Sequence, residues 1–193
     1  MVVSAVLDAC VLYPIGLRDT LLNIAEAGCL RVLWTEEILA ETSRNIVEDT
    51  PGLTAEHLEK TFAAMRRAFP EAMVEDYERL VDSMTNHPGD RHVLAAAVAA
   101  EADLIVTLNT RHFPDEACEA HGVSVQTPDS LLCDIAEAWP ELVARVLSAQ
   151  AARKTRPPMS LPEMLNRLEA HVPRFVETVR VLARENRPGR PTA

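Results

Sequence analysis

The sequence predicts a three-layer α/β fold, in which helices cover both faces of a central parallel sheet, followed by an all-helical extension. Short apolar segments alternate with amphipathic helical segments as far as about residue 132. The apolar segments are nearly continuous rather than alternating, which is typical of strands buried on both faces. After Trp139 and Pro140 no further strand pattern occurs. We therefore expect a first domain at 1–140 and a helical extension at 141–193.

The first predicted strand ends in an acid. Val2 to Leu7 is a nearly continuous apolar run, and Asp8 follows it directly. A carboxylate at the mouth of a buried strand needs a cation or several N–H donors, because its desolvation is costly. Asp8 is therefore a candidate functional residue; the alternative is a structural Asp that bonds a neighbouring loop.

Local signals define the next helix and strand. Pro14-Ile15-Gly16 breaks the chain, an amphipathic helix follows at 18–27, and Gly28 suits its C′ position. The second strand is expected at 30–34. The inward-facing residues predicted for the helix are Leu21, Leu22 and Ile24.

The following helix offers several acids near one face. Thr35 is its predicted N-cap, and its buried stripe contains Ile38, Leu39 and Ile46. Glutamates and an asparagine flank this stripe or lie on roughly the same side: Glu37, Glu41, Asn45 and Glu48. Periodicity alone does not choose among the glutamates.

The middle of the chain is predicted to contain one helix that faces the core and one that faces solvent. A helix beginning at Thr54 has an apolar stripe at helical spacing, which predicts a core face rather than a cofactor site. A short strand-like stretch follows at 72–74, and an acidic surface helix at 75–81. The stripe consists of Leu58, Phe62, Met65 and Phe69.

The segment 86–114 joins a loop, a helix, a strand and a second loop. Pro88-Gly89 turns the chain and puts Asp90 at a helix N-cap. The apolar segment 104–106 predicts an interior strand, after which Thr107 and Asn109 enter a loop. Ligands of open α/β sheets bind at the carboxyl ends of strands, so Asn109 lies at a candidate site.

Capping signals continue to the end of the chain. A helix at 115–121 should end at Gly122, a last strand is expected at 123–125, and Thr127-Pro128 begins another helix. The extension should contain a helix to about Arg153 and a stiff basic linker at 154–158. A capping box at Ser160 and Glu163 should start a further helical segment, which Pro173 interrupts, and 186–193 should be a disordered tail.

Composition narrows the function. The hydrophobic content of 48% lacks a run long enough to span a membrane, and the first residues lack a basic export region, so we expect a soluble, cytoplasmic protein. The four cysteines form no zinc-type spacing and are predicted to be reduced core residues. An aromatic content of 4% is too low for a base-stacking platform.

Charge differs between the two parts of the chain. Residues 1–144 have 9 basic and 25 acidic side chains, a net charge of −16, whereas residues 145–193 have 10 basic and 4 acidic ones, a net charge of +6. A polyanion would be repelled by the first part unless divalent cations lie among its carboxylates.

A resemblance to the PIN-domain nucleases, in particular the VapC-type toxins of toxin–antitoxin pairs, is carried by VVSAVLDACVLYP, EEILAE and PGDRHVLAAAVAAEADLIVTLNTRHFP. It covers roughly residues 2–132 and implies a PIN-like α/β domain that cleaves RNA with Mg²⁺ or Mn²⁺. The acids that match the family pattern are Asp8, Glu41 and Asp90, which the resemblance implies as metal ligands. It also implies a small antitoxin as partner and a homodimer.

The rest of the implied site departs from the family pattern. Asn109 takes the catalytic position where many PIN domains have an acid, and His87 and His112 stand where close relatives often have Asp. An amide can still orient a water molecule. The substrate contacts expected around the acids are Arg91, Thr107, Arg111 and His112, although Arg111 and His112 could equally be solvated surface residues.

The residues support this chemistry independently, and alternatives exist. Carboxylate-rich sites hold hard divalent cations, which activate water and neutralise phosphate charge. An aspartyl phosphatase would need a second acid two residues after Asp8, where this chain has Cys10. A hydrolase that uses Cys10 with His92 or His112 has no partner geometry that the sequence supplies. The serious alternative is a PIN scaffold with weak or no catalysis that binds protein or RNA.

The basic extension has two interpretations. It could fold back on the acidic domain as a cover, held by charge and apolar contacts. Alternatively, part of it could lie beside the site and offer Arg153, Lys154 and Arg156 to phosphates. His92, one turn inside its helix, is similarly expected to be either a hydrogen-bonded structural residue or a phosphate contact.

Overall fold

A four-stranded parallel sheet forms the centre of the molecule. The computed structural model describes residues 2–185. The strands are β1 (Val3–Leu7), β2 (Leu30–Leu33), β3 (Leu104–Val106) and β4 (Ser124–Gln126), in the order β2-β1-β3-β4. This sheet and its flanking helices confirm the predicted fold class.

The strand order creates a crevice at one edge of the sheet. From β1 the chain proceeds to β2 on one side, and it later returns to β3 on the other side. Leu7 pairs with Val106, so β1 and β3 end together. Ligand sites of open α/β sheets lie where the strand order reverses in this way. The residues that follow β1 and β3 therefore face the expected position of a site.

Helices account for most of the remaining described chain. Those that precede β3 are α1 (Ala9–Leu12), α2 (Ile15–Glu26), α3 (Glu36–Asp49), α4 (Ala55–Ala68), α5 (Glu78–Val81) and α6 (Arg91–Ala99). Those that follow β3 are α7 (Asp115–Cys118), α8 (Pro128–Ala138), α9 (Pro140–Arg153), α10 (Leu161–Leu168) and α11 (Pro173–Glu185).

Several predicted boundaries are confirmed by their caps. The Thr35 hydroxyl accepts a hydrogen bond from the Ile38 N–H, and the Thr127 hydroxyl accepts one from the Ser130 N–H. Ser160 and Glu163 form the predicted capping box. Gly122 has a φ of 71°, in the left-handed region that a side chain disfavours, and it ends the turn before β4. These local signals were sufficient because each cap satisfies backbone groups within one helical turn.

Three predicted elements differ in the structure. The strand-like stretch at 72–74 is wrong as a strand: Met73 forms a single bridge with Trp34, after a 3-10 turn at Pro70–Ala72. The acidic helix at 75–81 is reduced to α5. Helix α2 begins at Ile15, before the predicted start, because the Pro14 carbonyl accepts the Arg18 N–H at 2.9 Å and opens the helix.

The inner face of α2 also differs from the prediction. Leu21 and Ile24 are buried as expected, but Leu22 is only half-buried. Arg18 is buried instead, and its Nη1 donates to the Leu12 carbonyl at 2.7 Å. That hydrogen bond allows a guanidinium to occupy a position where periodicity favours an apolar side chain.

The extension packs against the α/β domain. Helix α11 contacts α8, and α10 contacts α2 and α9. Leu168, Val172, Phe175 and Val176 are buried by these contacts. Lys154 forms an ion pair with Asp19 of α2 at 2.5 Å, and Arg153 lies 3.8 Å from Glu26 of the same helix. The described part of the extension therefore has the arrangement of a cover held by apolar contacts and charge.

Two further expectations concern the C-terminal tail and the absence of a membrane span. The disordered tail predicted for 186–193 lies outside the described residues. Among the residues that the structure does describe, no helix combines the length and the apolar character needed to cross a membrane.

Candidate metal centre

Asp8 lies at the carboxyl end of β1 and is almost fully buried, with 3% of its surface exposed. Its Oδ1 accepts a hydrogen bond from the Ala9 N–H at 2.6 Å, which caps the short helix α1. Its Oδ2 accepts one from the Thr107 hydroxyl at 2.6 Å. These donors offset part of the cost of burying the charge and hold the carboxylate in one orientation.

Thr107, at the end of β3, positions Asp8 and does not face solvent. Its side chain is completely buried, and its Oγ1 also accepts the Asn109 N–H at 3.0 Å. A substrate cannot reach this hydroxyl directly. We therefore correct the expectation that Thr107 contacts substrate: its contacts make it a positioning residue for Asp8. Sequence reasoning identified the position but missed this role, because the pairing of Leu7 with Val106 is tertiary information.

Cys10 is part of the same hydrogen-bonded group. Its Sγ lies 3.2 Å from Asp8 Oδ2 and accepts the Leu108 N–H at 3.2 Å. Burial and the neighbouring Asp8 charge raise the pKa of the Cys10 thiol to about 12. The thiol is therefore protonated at neutral pH, which argues against a cysteine nucleophile. All four cysteines are free thiols, and Cys29, Cys118 and Cys133 are buried.

Glu41 of α3 is the glutamate that meets the other acids. Its pKa is raised, first by burial and then by the negative charges of Asp8 and Asp90. Glu41 thus lies within electrostatic range of both other predicted ligands. His92 of α6 lowers the pKa of Glu41, and its Nε2 lies 3.6 Å from Glu41 Oε2, beyond hydrogen-bond distance.

Asp90 occupies the predicted N-cap position of α6, but its side chain does not cap the helix. Its Oδ2 lies 2.9 Å from His87 Nδ1 and 3.0 Å from His112 Nδ1. The two imidazole rings are stacked, with their centroids 4.3 Å apart. The two histidines that replace acids of the family pattern therefore both contact one predicted metal ligand.

Asn109 and two arginines surround this group. Asn109 is half-buried, and its carbonyl accepts the His112 N–H at 2.8 Å. Arg91 begins α6, and its Nε is buried with no hydrogen-bond partner among the described residues. Arg111 is exposed in the turn after Asn109. Neither arginine forms an ion pair within residues 2–185, so both retain positive charge for an anionic ligand.

The donor set of Asp8, Glu41 and Asp90 fits a hard divalent cation. All three offer carboxylate oxygens, the ligands that Mg²⁺ and Mn²⁺ prefer. Burial raises the pKa of Glu41, and repulsion from the negative charges of Asp8 and Asp90 raises it further. A bound cation would remove that repulsion, which is the electrostatic relation expected between a metal and its ligands.

A separate cavity lies away from these acids. It has a volume of about 670 Å³ and is lined mainly by apolar side chains of α2, α10 and the segments between them. Arg18 and Gln150 are among its polar lining residues. None of the predicted metal ligands lines it. The candidate site therefore does not lie in this cavity.

Comparisons with known proteins agree with this fold. The profile described as "PIN domain" matches residues 4–111, and the profile described as "VapC50 C-terminal domain" matches residues 128–181. A Mycobacterium tuberculosis protein described as "Putative ribonuclease VapC50" is 37% identical over 106 residues, which cover 55% of this chain and 63% of that protein. The match thus spans less than two thirds of the relative's length.

No solved structure matches the chain. The PIN profile covers more than half of the 193 residues and includes Asp8, Glu41, Asp90 and Asn109. The second profile covers most of the described extension, although it begins within the first predicted domain. On these matches, and with the parallel sheet that carries the acids, the chain belongs to the PIN domain family.

Proposed function

We propose that this protein is a metal-dependent endoribonuclease and the toxin of a type II toxin–antitoxin pair. The observation that carries the proposal is that the charges of Asp8, at the carboxyl end of β1, and of Asp90 both act on Glu41 and raise its pKa, in addition to the larger effect of burial. Membership of the PIN family and the similarity to a protein named as a ribonuclease support it. RNA is the substrate, Mg²⁺ or Mn²⁺ the cofactor, and a small cognate antitoxin the partner.

The side chains divide the work of phosphodiester hydrolysis. A divalent cation, when bound by Asp8, Glu41 and Asp90, supplies Lewis acidity toward the phosphate and water. Thr107 and the Ala9 N–H hold Asp8 in its orientation. The Asn109 amide, in the loop after β3, orients water beside the acids. Arg91, Arg111 and His112 contact the phosphates that flank the bond to be cleaved.

Electrostatics account for RNA binding by an acidic protein. The net charge of −16 for residues 1–144 opposes the approach of a polyanion. Cations at the three acids, together with the free guanidinium groups of Arg91 and Arg111, replace this repulsion by local attraction for phosphate. The protein therefore needs its metal for substrate binding as well as for chemistry, and chelation should weaken both.

One alternative is supported by particular residues. Asn109 in place of an acid, and His87 and His112 in place of aspartates, leave fewer anionic ligands than the family pattern. A PIN scaffold that binds protein or RNA with little catalysis would have such a site. Cleavage of RNA in vitro separates the two functions.

The test is cleavage of RNA by the purified full chain with Mg²⁺ or Mn²⁺, compared with Asp8→Asn. We expect the variant to lose activity by about 100-fold or more, since even outer-sphere partners of a metal contribute 10- to ~100-fold. It should also relieve growth arrest while remaining folded and equally or more stable, because one negative charge leaves a crowded cluster.

The control is Asp115→Asn, which removes the same charge from an exposed position on α7. It should retain full activity. Equal cleavage by wild type and Asp8→Asn would contradict the metal assignment. Absence of metal-dependent cleavage in wild type would favour the binding scaffold. Light scattering tests the homodimer that the family implies, and co-expression with a short neighbouring reading frame tests the antitoxin.

A further inference from the structure

We propose that His87, Asp90 and His112 form a second metal site, selective for a late first-row divalent cation such as Zn²⁺, beside the carboxylate site. The inference rests on the geometry and chemistry of these three side chains and does not require ribonuclease activity. Asp90 belongs to both sites. The two histidines have no assigned role in the proposed ribonuclease beyond the expected contact of His112 with phosphate.

The three ligand atoms converge on one point. His87 Nδ1 and His112 Nδ1 lie 2.9 and 3.0 Å from the same oxygen, Asp90 Oδ2. All three ligand atoms lie within 4.8 Å of one another. Ligand atoms of a tetrahedral zinc are ~3.3 Å apart, given Zn–N and Zn–O distances of about 2.0–2.1 Å. A small outward movement of the side chains would therefore make room for an ion.

The backbone holds the two histidines in this arrangement. The His87 N–H donates to the His112 carbonyl at 3.0 Å, which ties the loop before α6 to the turn after β3. The rings stack with an interplanar angle of 17°. Buried Asn86 donates from Nδ2 to the Asp90 carbonyl at 3.0 Å and fixes the third ligand's backbone. The site is thus largely preorganised, which lowers the entropic cost of binding.

The donor types select the metal. Two imidazole nitrogens and one carboxylate oxygen suit Zn²⁺ and its neighbours, whereas Mg²⁺ and Ca²⁺ prefer oxygen ligands. Three protein ligands leave a fourth position open, as in catalytic rather than structural zinc sites. The side chain of His87 is 52% exposed and those of His112 and Asp90 are 24% and 18% exposed, so an ion can enter from solvent.

Calorimetric titration of the metal-stripped full chain with Zn²⁺ alone tests the site. We expect wild type to bind one equivalent of Zn²⁺, with a higher affinity than it has for Mg²⁺. His87→Ala and His112→Ala should each weaken Zn²⁺ binding by at least ~10-fold. His121→Ala, which removes an exposed histidine outside the cluster, is the matched control and should bind as wild type. Asp8→Asn, which removes an acid only from the carboxylate site, should retain Zn²⁺ binding.

Unchanged Zn²⁺ affinity in both histidine variants would overturn the inference. So would loss of Zn²⁺ binding in Asp8→Asn alone, which would put the ion at the carboxylates, or the absence of any Zn²⁺ binding in wild type. If His112→Ala proves unfolded by circular dichroism, the half-exposed His87→Gln variant carries the test. RNA cleavage without Zn²⁺ binding would refute only this inference; Zn²⁺ binding without RNA cleavage would refute only the proposed function.

Discussion

At the scale of single residues, the site depends on how hydrogen-bond donors orient a buried carboxylate. Asp8 accepts hydrogen bonds from the Ala9 N–H, the Thr107 hydroxyl and the Cys10 thiol. Glu41 has fewer partners, and its pKa is raised by burial and by its acidic neighbours. Asp90 instead contacts two imidazoles. The three acids therefore have three different surroundings.

Thr107→Val tests the positioning of Asp8. The substitution keeps the shape of the side chain but removes the donor that lies 2.6 Å from Asp8 Oδ2. A hydrogen bond to a charged, buried group contributes about 2 kcal/mol, so we expect the free energy of unfolding to fall by about that amount. Metal affinity and RNA cleavage should fall with it, because the carboxylate is no longer held in one orientation.

Thr107→Ser is the matched control, since it retains the hydroxyl and should preserve activity. Denaturant unfolding and metal titration provide the two measurements. If the Val and Ser variants were equally active, Thr107 would have no role in positioning Asp8.

At the scale of elements, β1 and β3 form the platform of the site, and their alignment is secured at both ends. At the carboxyl end, the Thr107 hydroxyl bonds Asp8. At the other end, the Asp103 carboxylate accepts hydrogen bonds from both the Ser4 N–H and the Ser4 hydroxyl, each at 2.7 Å. These bonds across adjacent strands keep the register in which Leu7 faces Val106.

The Asp103 contact predicts a particular dependence of stability on pH. Hydrogen bonds from Ser4 lower the pKa of Asp103 below its usual 3.8. A carboxyl whose pKa is lowered by folding stabilises the protein above its unfolded pKa, and this contribution is lost as the pH falls through the folded value. Asp103→Asn should therefore lower the free energy of unfolding by a constant amount from pH 7 to 5.

The difference in the free energy of unfolding between wild type and Asp103→Asn should become smaller only below pH 3.8, the usual pKa of this carboxyl group. Denaturant unfolding at several pH values measures it. A double-mutant cycle with Ser4→Ala isolates the pair, since the two effects should be less than additive. A difference that already disappears between pH 7 and 5 would show that another group is responsible.

At the scale of the whole molecule, the basic extension covers part of the acidic domain. Its apolar residues Phe175 and Val176 are buried, and Arg153 and Lys154 face acids of α2. Arg156 forms no ion pair among the described residues, so it differs from the two preceding basic residues. Whether this extension also contacts RNA is a separate question from its packing.

The salt dependence of RNA binding can answer that question. Each phosphate contact contributes about 0.7 to the slope of log K against log salt concentration for single strands. We expect Arg153→Gln and Lys154→Gln to leave the slope unchanged, because their charges already face Glu26 and Asp19. Arg156→Gln should flatten it by about 0.7 if the extension contacts substrate.

Binding is measured with a short RNA and the Asp8→Asn variant as background, so that cleavage does not interfere. Arg31→Gln, on the exposed face of β2, serves as the control for loss of one positive charge. A flatter salt slope in Lys154→Gln would mean that the ion pair with Asp19 opens so that Lys154 binds phosphate. An unchanged slope in all three extension variants would limit the extension to its covering role.

Local sequence determined much of this protein. Nearly continuous apolar runs identified β1 and β3, and Thr35, Thr127 and Ser160 marked helix starts, because caps and strand burial depend on neighbouring residues. The strand-like stretch at 72–74 does not form a strand, because within residues 2–185 its bridge partner is the single residue Trp34, far away in the chain.

Only the tertiary structure decided which residues meet at the site. Periodicity left Glu37, Glu41 and Glu48 as alternatives, and packing of α3 against α1, the helix that Asp8 caps, brings Glu41 under the influence of Asp8 and Asp90. The same holds for Thr107 bonding Asp8 and for the stacked pair of His87 and His112. A sequence pattern reports the face on which a side chain lies, whereas electrostatic and hydrogen-bond partners depend on distances between elements that are remote in the chain.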